Sequence, residues 1–169
     1  KKNAAQKNYI NVSGLIELRD QIAQYHSKKN KNNYTAENVI IGPGTKELIF
    51  QTQLVLDCHV LLPSPSWVSY EPQAKILNKK IHWIKTEATS NWHIIPEELD
   101  KVCQNLNQVE KLLILNSPNN PSGTSHNNLE SLATIAKKNN IIVLSDEIYA
   151  ELDFSGDYKS MSHYCPEKT

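Results

Sequence analysis

The chain has 169 residues, of which 39% are hydrophobic and 21% charged, a composition that fits a soluble globular domain and excludes a disordered chain. Its 18 basic and 18 acidic side chains cancel, so the charge gives no reason to expect binding to nucleic acid or to an anionic membrane. We expect neither a signal peptide nor a membrane span, since no apolar run approaches roughly 18 residues, and three scattered cysteines without a CxxC pair favour a reducing, cytoplasmic location.

The predicted elements alternate between short apolar strands and longer helices. In chain order they are a helix over 13–27, a strand over 39–41, a helix over 45–56, a strand over 60–62, a helix over 68–77, a strand over 81–84, a helix over 96–106, a strand over 112–115, a helix over 128–138 and a strand over 141–145. Apolar residues spaced three and four apart predict the helices, and short continuous apolar runs predict the strands. This alternation indicates βαβ units and an α/β fold with a mostly parallel sheet.

Prolines and polar segments set several predicted boundaries. Pro63 and Pro65 are predicted to end the second strand, and Pro96 suits the first residue of a helix. The polar start at Lys1-Lys2-Asn3 is typical of a cut end, and the pattern becomes irregular after Asp153. These features favour a chain that is part of a longer protein.

The glycine-rich turn before the helix at Thr45 is a candidate anion site. Gly42, Pro43 and Gly44 form this turn. Glycine lets the backbone approach an anion, and the free amides of a helix N-terminus point outward. The turn matches neither G-x-G-x-x-G nor GxxxxGK[ST], so dinucleotide and P-loop interpretations are weak. A phosphate site and an ordinary turn capped by Thr45 both fit.

Two further strand-to-helix junctions carry unusual residues. Trp67 follows the strand over 60–62, where it could cover a flat aromatic ligand or pack onto its own helix. The segment 116–124 contains two prolines and a glycine, which fix its backbone path and hold its asparagines in set directions. Because parallel strands end at the same edge of a sheet, we expect these junctions to lie side by side, with the loop over 116–124 beside a pocket.

Asp146 ends the last predicted strand, and Tyr149 follows it three residues later. A carboxylate buried at a strand end is costly unless a cation or a strong donor meets it. The nearest cations in sequence are Lys138 and Lys159, so the chain supplies no obvious local partner. A protonated ring nitrogen of a cofactor would serve, with the phenol reaching a neighbouring ring oxygen. The alternative is an N-cap aspartate with a tyrosine on the rim.

The remaining polar residues predict no other chemistry. None of the six histidines shows metal-ligand spacing, and each is interpreted as a lone surface or core residue: His26, His59, His82, His93, His126 and His163. Ser66 and Ser122 lack the His/Asp arrangement that activates a serine nucleophile. Neither a metal centre nor a serine hydrolase is therefore predicted.

Four segments, in the same order, resemble the fold-type-I pyridoxal phosphate enzymes, and most closely the class I/II, aspartate-aminotransferase-like aminotransferases. Segment 116–124, NSPNNPSGT, resembles the N-x-P-x-N-P-[ST]-G loop of that family, and 145–149, SDEIY, resembles its S-D-E-x-Y strand end. Segment 64–70, SPSWVSY, is similar to the cofactor-stacking segment, and Tyr9 to Arg19 is similar to the Y-x-x-x-x-G-x-x-x-L-R motif. The resemblance implies a three-layer α/β/α domain. Residues 1–169 would be its incomplete large, cofactor-binding part, with the C-terminal portion and the small domain absent.

The resemblance also implies roles for individual residues toward the ring of pyridoxal 5'-phosphate. Asp146 would pair with the pyridinium nitrogen and keep it protonated, which makes the ring an electron sink. Tyr149 and Asn120 would hydrogen-bond the phenolic oxygen of the ring. Trp67 would stack on the ring face.

Other residues are implied to hold the phosphate group of that cofactor. Gly44, Thr45 and Lys46 would bind it, largely through backbone amides. Tyr9 resembles the tyrosine that family members lend to the phosphate of the neighbouring subunit. A homodimer is therefore implied.

The resemblance places the Schiff-base lysine of the family several tens of residues after the S-D-E-x-Y strand, beyond Thr169. Lys159 is too close, and its setting does not match. The arginine that binds the substrate carboxylate lies in the small domain, so Arg19 is expected on a helix surface. We therefore interpret the chain as a fragment whose full-length protein transfers an amino group between an amino acid and a 2-oxo acid. The alternatives are a lyase or synthase on the same fold and a catalytically inert fragment.

Overall fold

The computed structural model describes residues 9–106 and 108–169. The predicted cut end at Lys1-Lys2-Asn3 lies outside the described residues. The chain divides into two compact units, with the division between Glu47 and Leu48. Within the described ranges, no helix has both the length and the apolar character needed to cross a membrane.

The described residues form five α-helices and four β-strands. In chain order they are α1 (Ile16–Asn30), α2 (Thr45–Val55), β1 (His59–Ser64), α3 (Tyr70–Ile76), β2 (Ile81–Lys85), α4 (Pro96–Gln104), β3 (Lys111–Asn116), α5 (Leu129–Lys138) and β4 (Ile141–Asp146). Single-turn 3₁₀ helices lie at Ala36–Asn38, Ala88–Ser90, Ala150–Leu152, Met161–His163 and Pro166–Lys168. All predicted helices are confirmed, and every predicted strand is confirmed except the one over 39–41.

In the first unit, α1 directs Arg19 into the interior. The guanidinium donates from Nε to the carbonyl of Val39 at 2.8 Å and from Nη2 to the carbonyl of Ala36 at 2.7 Å. Only 6% of Arg19 is exposed. The prediction of a surface arginine is therefore wrong. The guanidinium supplies several donors in a fixed geometry, which lets one side chain bind two carbonyls of the segment over 36–39.

The predicted strand over 39–41 is wrong because a strand needs a paired neighbour. Val39 has extended dihedral angles, φ −122° and ψ 129°. Its amide nevertheless closes a turn to Ala36, and the amide of Ile41 donates to the carbonyl of Ser13 at 2.9 Å. Gly14 lies against this segment with a φ of +103°, and a Cβ there would be 2.7 Å from the Ile41 side chain. Both the backbone conformation and the close approach therefore require glycine at this position.

The second unit is built on a four-stranded parallel sheet in the order β2-β1-β3-β4. Successive strands are joined through α3, α4 and α5, as parallel pairing requires. Side chains of alternate strand residues form a core on each face of the sheet. One core contains Leu61, Leu113 and Leu132 of α5, and the other contains Leu62 and Tyr70 of α3. The predicted three-layer α/β/α arrangement is thus confirmed for this unit.

Pro63 lies inside β1 instead of ending it. It pairs with Ile84 of β2, and the strand continues to Ser64. The pairing of β1 with β3 ends at Leu61. The missing N–H of Pro63 therefore falls where one side of the strand is already unpaired, which is where a sheet tolerates proline.

Candidate functional site

The ends of β3 and β4 place Asn116 and Asp146 side by side. The two residues are partners in the parallel register, and Asn116 Nδ2 donates to the backbone carbonyl of Asp146 at 2.9 Å. The amide of Ser117 donates to the same carbonyl at 3.2 Å. Within the second unit, the junctions after β1, β3 and β4 lie at the carboxyl-terminal end of the sheet, as predicted, because parallel strands end on the same side.

The carboxylate of Asp146 is turned inward, and only 8% of the residue is exposed. Its Oδ2 accepts a 2.6 Å hydrogen bond from the Tyr70 hydroxyl. Its Oδ1 accepts a 3.3 Å hydrogen bond from the Ile148 amide. Asp146 takes part in none of the ion pairs found among the described residues. A buried carboxylate with neutral donors suits a cationic group, such as the protonated ring nitrogen of pyridoxal phosphate.

Tyr70 is a site residue whose role the sequence did not indicate. It begins α3 and is 1% exposed. Burial, and then the hydrogen bond to Asp146, raise the pKa of Tyr70 well above its usual range, so the phenol stays protonated and donates. Tyr70 closes the predicted stacking segment 64–70. Its contact with Asp146 joins residues 76 positions apart, and no local pattern predicts such a contact.

Trp67 packs against Tyr70 in an edge-to-face arrangement. The ring centroids are 5.4 Å apart and the ring planes are inclined by 80°. Trp67 is half-buried and packs on the hydrophobic core that contains Tyr70. Packing onto its own helix, one of the two alternatives from the sequence, is therefore observed. That the indole also covers a cofactor ring stays a prediction.

Asn120 and Tyr149, for which the resemblance implies a shared ring oxygen, lie within hydrogen-bond reach of each other. Asn120 Nδ2 donates to the Tyr149 hydroxyl across 3.4 Å, a long hydrogen bond. The Asn120 amide donates to Asn116 Oδ1 at 2.7 Å, which ties this residue to the end of β3. Both the asparagine and the tyrosine are half-buried. Two polar side chains can thus approach one ligand atom, and their role toward the ring oxygen stays a prediction.

The loop over 116–124 is closed by hydrogen bonds of Asn119. The Asn119 amide donates to the carbonyl of Thr124 at 2.9 Å, and the Gly123 amide donates to the carbonyl of Asn119 at 2.8 Å. Ser122 donates to Asn119 Oδ1 from its amide, at 3.2 Å, and from its hydroxyl, at 2.9 Å. These bonds give the loop the ordered path that its prolines and glycine predict.

Glu147, which the sequence analysis left without a role, anchors the segment that follows β4. Its Oε1 accepts hydrogen bonds from the hydroxyls of Ser145, at 2.8 Å, and Ser160, at 2.6 Å. Burial and the nearby Glu147 carboxylate raise the pKa of Tyr158 above its usual range. The adjacent carboxylates of Asp146 and Glu147 therefore have separate partners, and only Asp146 contacts Tyr70.

Gly44, Thr45, Lys46 and Tyr9 belong to the first unit. Gly44 has a φ of +136°, a conformation that favours glycine. Thr45 begins α2, so the residues after the glycine supply the first amides of a helix. Among them, the Glu47 amide donates to the carbonyl of Gly44 at 3.2 Å. Tyr9 is fully exposed. The turn suits an anion, and the phosphate and subunit roles of these four residues stay predictions.

No group of three or more His, Cys, Asp or Glu side chains in the described part of the chain is arranged to hold a metal ion. A cavity of about 420 Å³ in the second unit is lined by residues that include Ser125, Asp153 and Lys159, and not by Asp146 or Trp67. The candidate site is therefore defined by the hydrogen bonds of Asp146, Asn116 and Asn120 at the carboxyl-terminal ends of the strands, and not by this cavity.

Known proteins share both the sequence pattern and the fold. The family model described as aminotransferase class I and II matches residues 1–164. An aspartate aminotransferase from Bacillus sp. (strain YM-2) is 33% identical over 153 residues, which are 88% of this chain and 38% of that protein. An asparagine–oxo-acid transaminase from Streptococcus mutans gives the same identity and coverage.

Solved structures agree with this relationship. The aspartate aminotransferase of Thermus thermophilus with maleate is 29% identical, with a TM-score of 0.88 over 99% of this chain and 45% of that one. The aspartate aminotransferase of Thermotoga maritima is 28% identical, with a TM-score of 0.86 over 96% of this chain and 44% of that one. The chain spans 38% of the length of the two curated relatives named above. It belongs to the aminotransferase class I and II family.

Proposed function

We propose that this chain is the cofactor-binding part of a pyridoxal 5'-phosphate-dependent aminotransferase, which transfers an amino group between an amino acid and a 2-oxo acid. Beyond family membership, one observation supports the proposal. Asp146 is buried at the carboxyl-terminal end of β4, and both of its carboxylate oxygens accept hydrogen bonds from neutral donors. Because two relatives are named for aspartate and asparagine, these amino acids are the first substrates to test.

The main task of Asp146 would be to hold charge in a fixed direction. Tyr70 binds one carboxylate oxygen and the Ile148 amide binds the other, so the side chain cannot turn without losing a hydrogen bond. The carboxylate would accept a hydrogen bond from a protonated ring nitrogen and balance its charge. When bound, pyridoxal phosphate supplies an electron sink for the cleavage of bonds at the substrate Cα.

The other site residues would orient the ring and limit access of water. Tyr149, held by Asn120, would donate its hydroxyl proton to an oxygen on the ring. Trp67, braced by Tyr70, would cover one face of the ring. In the first unit, the turn at Gly44 and the first amides of α2 would bind the phosphate.

A homodimer is part of the proposal. It rests on Tyr9, which is fully exposed and would reach the phosphate bound by a second copy. Sedimentation of a longer chain, with and without Tyr9→Ala, would test whether this residue acts between subunits.

Binding of pyridoxal phosphate to the 169-residue chain tests the role of Asp146. We expect Asp146→Asn to weaken binding by about tenfold or more, because a neutral amide cannot balance a cationic ring nitrogen. Asp20 is an exposed residue of α1, so Asp20→Asn is the matched control. This variant should bind pyridoxal phosphate with the same affinity as the unsubstituted chain. Equilibrium dialysis measures the affinities. Equal affinity of the Asp146→Asn variant and the control would contradict the assignment.

The contacts also favour a chain that binds the cofactor without forming a covalent bond to it. The hydrogen bonds found for the side chains of Asp146, Asn120 and Tyr149 are with Tyr70, with the Ile148 amide or with one another. We expect no lysine adduct in the site after borohydride reduction of the chain mixed with pyridoxal phosphate. An adduct mapped there by mass spectrometry would contradict this expectation. An amino-acceptor assay on a longer chain would separate transamination from a lyase or synthase reaction.

We also propose a cytoplasmic location. The three cysteines, Cys58, Cys103 and Cys165, are free and buried, as thiols are in reducing compartments. Burial raises the pKa of each of these thiols, which keeps them protonated and unreactive. Cell fractionation with an antibody to the chain would test this location.

A further inference from the structure

The cavity of about 420 Å³ in the second unit has no part in the proposed aminotransferase reaction. Its walls come from two stretches of the chain, one directly after the loop over 116–124 and one a few residues after Tyr149. The volume lies within the range of cavities that bind small molecules, roughly 300–1,000 Å³. Polar residues of the lining include Ser125, His126, Asp153, Ser155, Asp157 and Lys159.

Asp153 brings a carboxylate of fixed orientation to this cavity. Its Oδ1 accepts hydrogen bonds from the Ser155 hydroxyl at 2.5 Å and from the Ser155 amide at 2.9 Å, and its Oδ2 accepts one from the Ser125 hydroxyl at 3.1 Å. The bonds from Ser155, and then the bond from Ser125, lower the pKa of Asp153, so the group is charged at neutral pH. Because a carboxylate has about four acceptor positions, these three hydrogen bonds leave room for another donor.

Asp157 and Lys159 bring two further charges of opposite sign to the same cavity. Both residues are exposed, and neither side chain takes part in an ion pair or a hydrogen bond found among residues 9–106 and 108–169. The Lys159 ammonium therefore does not neutralise either aspartate. Two carboxylates at one cavity repel each other, and a bound cation would relieve that repulsion.

The charges of the lining define the chemistry of a matching ligand. Burial lowers the pKa of His126 to about 4, and the nearby His93 contributes to the shift, so this imidazole adds no charge at neutral pH. Two carboxylates and one ammonium remain. Their complement is a molecule with two cationic groups and one carboxylate. Tyr158 and Tyr164 also line the cavity, and their rings offer apolar surface to a methylene chain between those groups.

We propose that this cavity binds a diamino acid of the lysine type. Its two ammonium groups would bind Asp153 and Asp157, and its carboxylate would bind Lys159, through charge-assisted hydrogen bonds. Neither Asp146 nor Trp67 lines the cavity. Binding here therefore does not require the proposed aminotransferase activity.

Calorimetric titration of the 169-residue chain with L-lysine at neutral pH, without pyridoxal phosphate, tests the proposal. We expect one equivalent to bind. Cadaverine lacks the carboxylate and 6-aminohexanoate lacks the α-ammonium group. Each should bind more weakly by about tenfold or more, because each leaves a charged group of the cavity without its partner. Absence of saturable lysine binding, or equal affinity for lysine and cadaverine, would overturn the proposal.

Substitutions of the three charged residues test which groups hold the ligand. Asp153→Asn, Asp157→Asn and Lys159→Gln should each weaken lysine binding by about fivefold or more. Lys101→Gln and Glu130→Gln, at exposed positions of the same unit, are the matched controls and should keep the affinity of the unsubstituted chain. Unchanged affinity in the Asp157 and Lys159 variants, whose side chains have no hydrogen bond to lose among the described residues, would contradict the assignment.

Backbone amide NMR of the same chain locates the bound amino acid. Chemical-shift changes on addition of L-lysine should centre on residues 125–129 and 153–159, which form the two walls of the cavity. Changes centred on Asn120 and Asp146 would instead mean that lysine enters the proposed cofactor site, and they would overturn the proposal.

Discussion

Tyr70 and Asp146 show how one pair of residues joins elements that are far apart in sequence. The phenol reaches from α3 to the end of β4 with a 2.6 Å hydrogen bond, and both residues are buried. A hydrogen bond to a charged group contributes about 1.5–3 kcal/mol. We therefore expect Tyr70→Phe to lower the free energy of unfolding of the chain by about 2 kcal/mol, measured by urea denaturation.

Tyr149→Phe is the matched control for this variant. Its hydroxyl takes part in a 3.4 Å hydrogen bond with Asn120, and the residue is half-buried. Its loss should cost less than about 1 kcal/mol, because water can replace a long hydrogen bond at a partly exposed group. Similar losses in the two variants would show that the contact with Asp146 adds nothing beyond an ordinary tyrosine hydroxyl.

At this scale the sequence predicted residues whose signal is local. Asp146 and Tyr149 follow an apolar run within a few positions, and Asn120 lies in a proline-rich loop, so residue type and spacing marked all three as candidates, while the family resemblance implied their roles. Tyr70 and Arg19 were different. The hydroxyl of Tyr70 reaches a partner 76 positions away, and Arg19 binds carbonyls 17 and 20 positions away. Contacts of this length depend on the folded arrangement, and no periodicity in the sequence reports them.

At the scale of elements, α5 shows why the helices could be predicted. Its buried residues, Leu129, Leu132, Ala133 and Ala136, follow the three-and-four spacing of one helix face. Leu132 is fully buried in the core that also contains Leu61 and Leu113. We expect Leu132→Ala to lower the free energy of unfolding by about 2–5 kcal/mol, through lost burial and the cavity it leaves.

Leu54→Ala in α2 is the control for Leu132→Ala, because Leu54 is 57% exposed. This exposed substitution should change the free energy of unfolding by no more than about 0.5 kcal/mol. Urea denaturation of both variants measures the difference. Comparable losses would mean that α5 packs less tightly on the sheet than the buried face of the helix indicates.

The strands were harder to predict than the helices because a strand depends on a partner outside itself. The apolar run over 39–41 has extended backbone at Val39, yet it forms no ladder with any other described residue of the first unit. Pro63 predicts the end of a strand, whereas β1 passes through it because the pairing with β3 has already ended at Leu61. Both errors have one cause: pairing partners are set by distant parts of the chain.

At the scale of the whole molecule, alternating strands and helices predicted a parallel sheet but not its order. The order β2-β1-β3-β4 requires the connection through α4 to cross β1, which places β3 on the side of β1 away from β2, and the connection through α5 then places β4 beside β3. The pairing of β3 with β4 makes Asn116 and Asp146 partners in the register. The predicted shared end of the sheet was correct for the junctions after β1 and β3, while the glycine turn over 42–44 does not follow a strand. The neighbours of each strand became known from the structure.

Buried histidines make the stability of the molecule depend on pH. Burial lowers the pKa of His126 to about 4, and the nearby His93 contributes to the shift. An unfolded chain has a histidine pKa of about 6.5. Between these two values the unfolded chain binds a proton that the folded chain does not. The free energy of unfolding therefore falls as the pH falls through this window, because protons drive the equilibrium toward the state that binds more of them.

We expect the contribution of His126 alone to lower the free energy of unfolding by about 2 kcal/mol between about pH 7 and about pH 5. His126→Gln removes this proton uptake, so its stability should vary less with pH by about that amount. His163→Gln, at an exposed position, should keep the pH dependence of the unsubstituted chain. His59 and His82, whose pKa values are also lowered, add a smaller slope that remains in both variants. Urea denaturation at the two pH values measures these differences, and an unchanged pH dependence in His126→Gln would show that burial of this ring does not couple stability to protons.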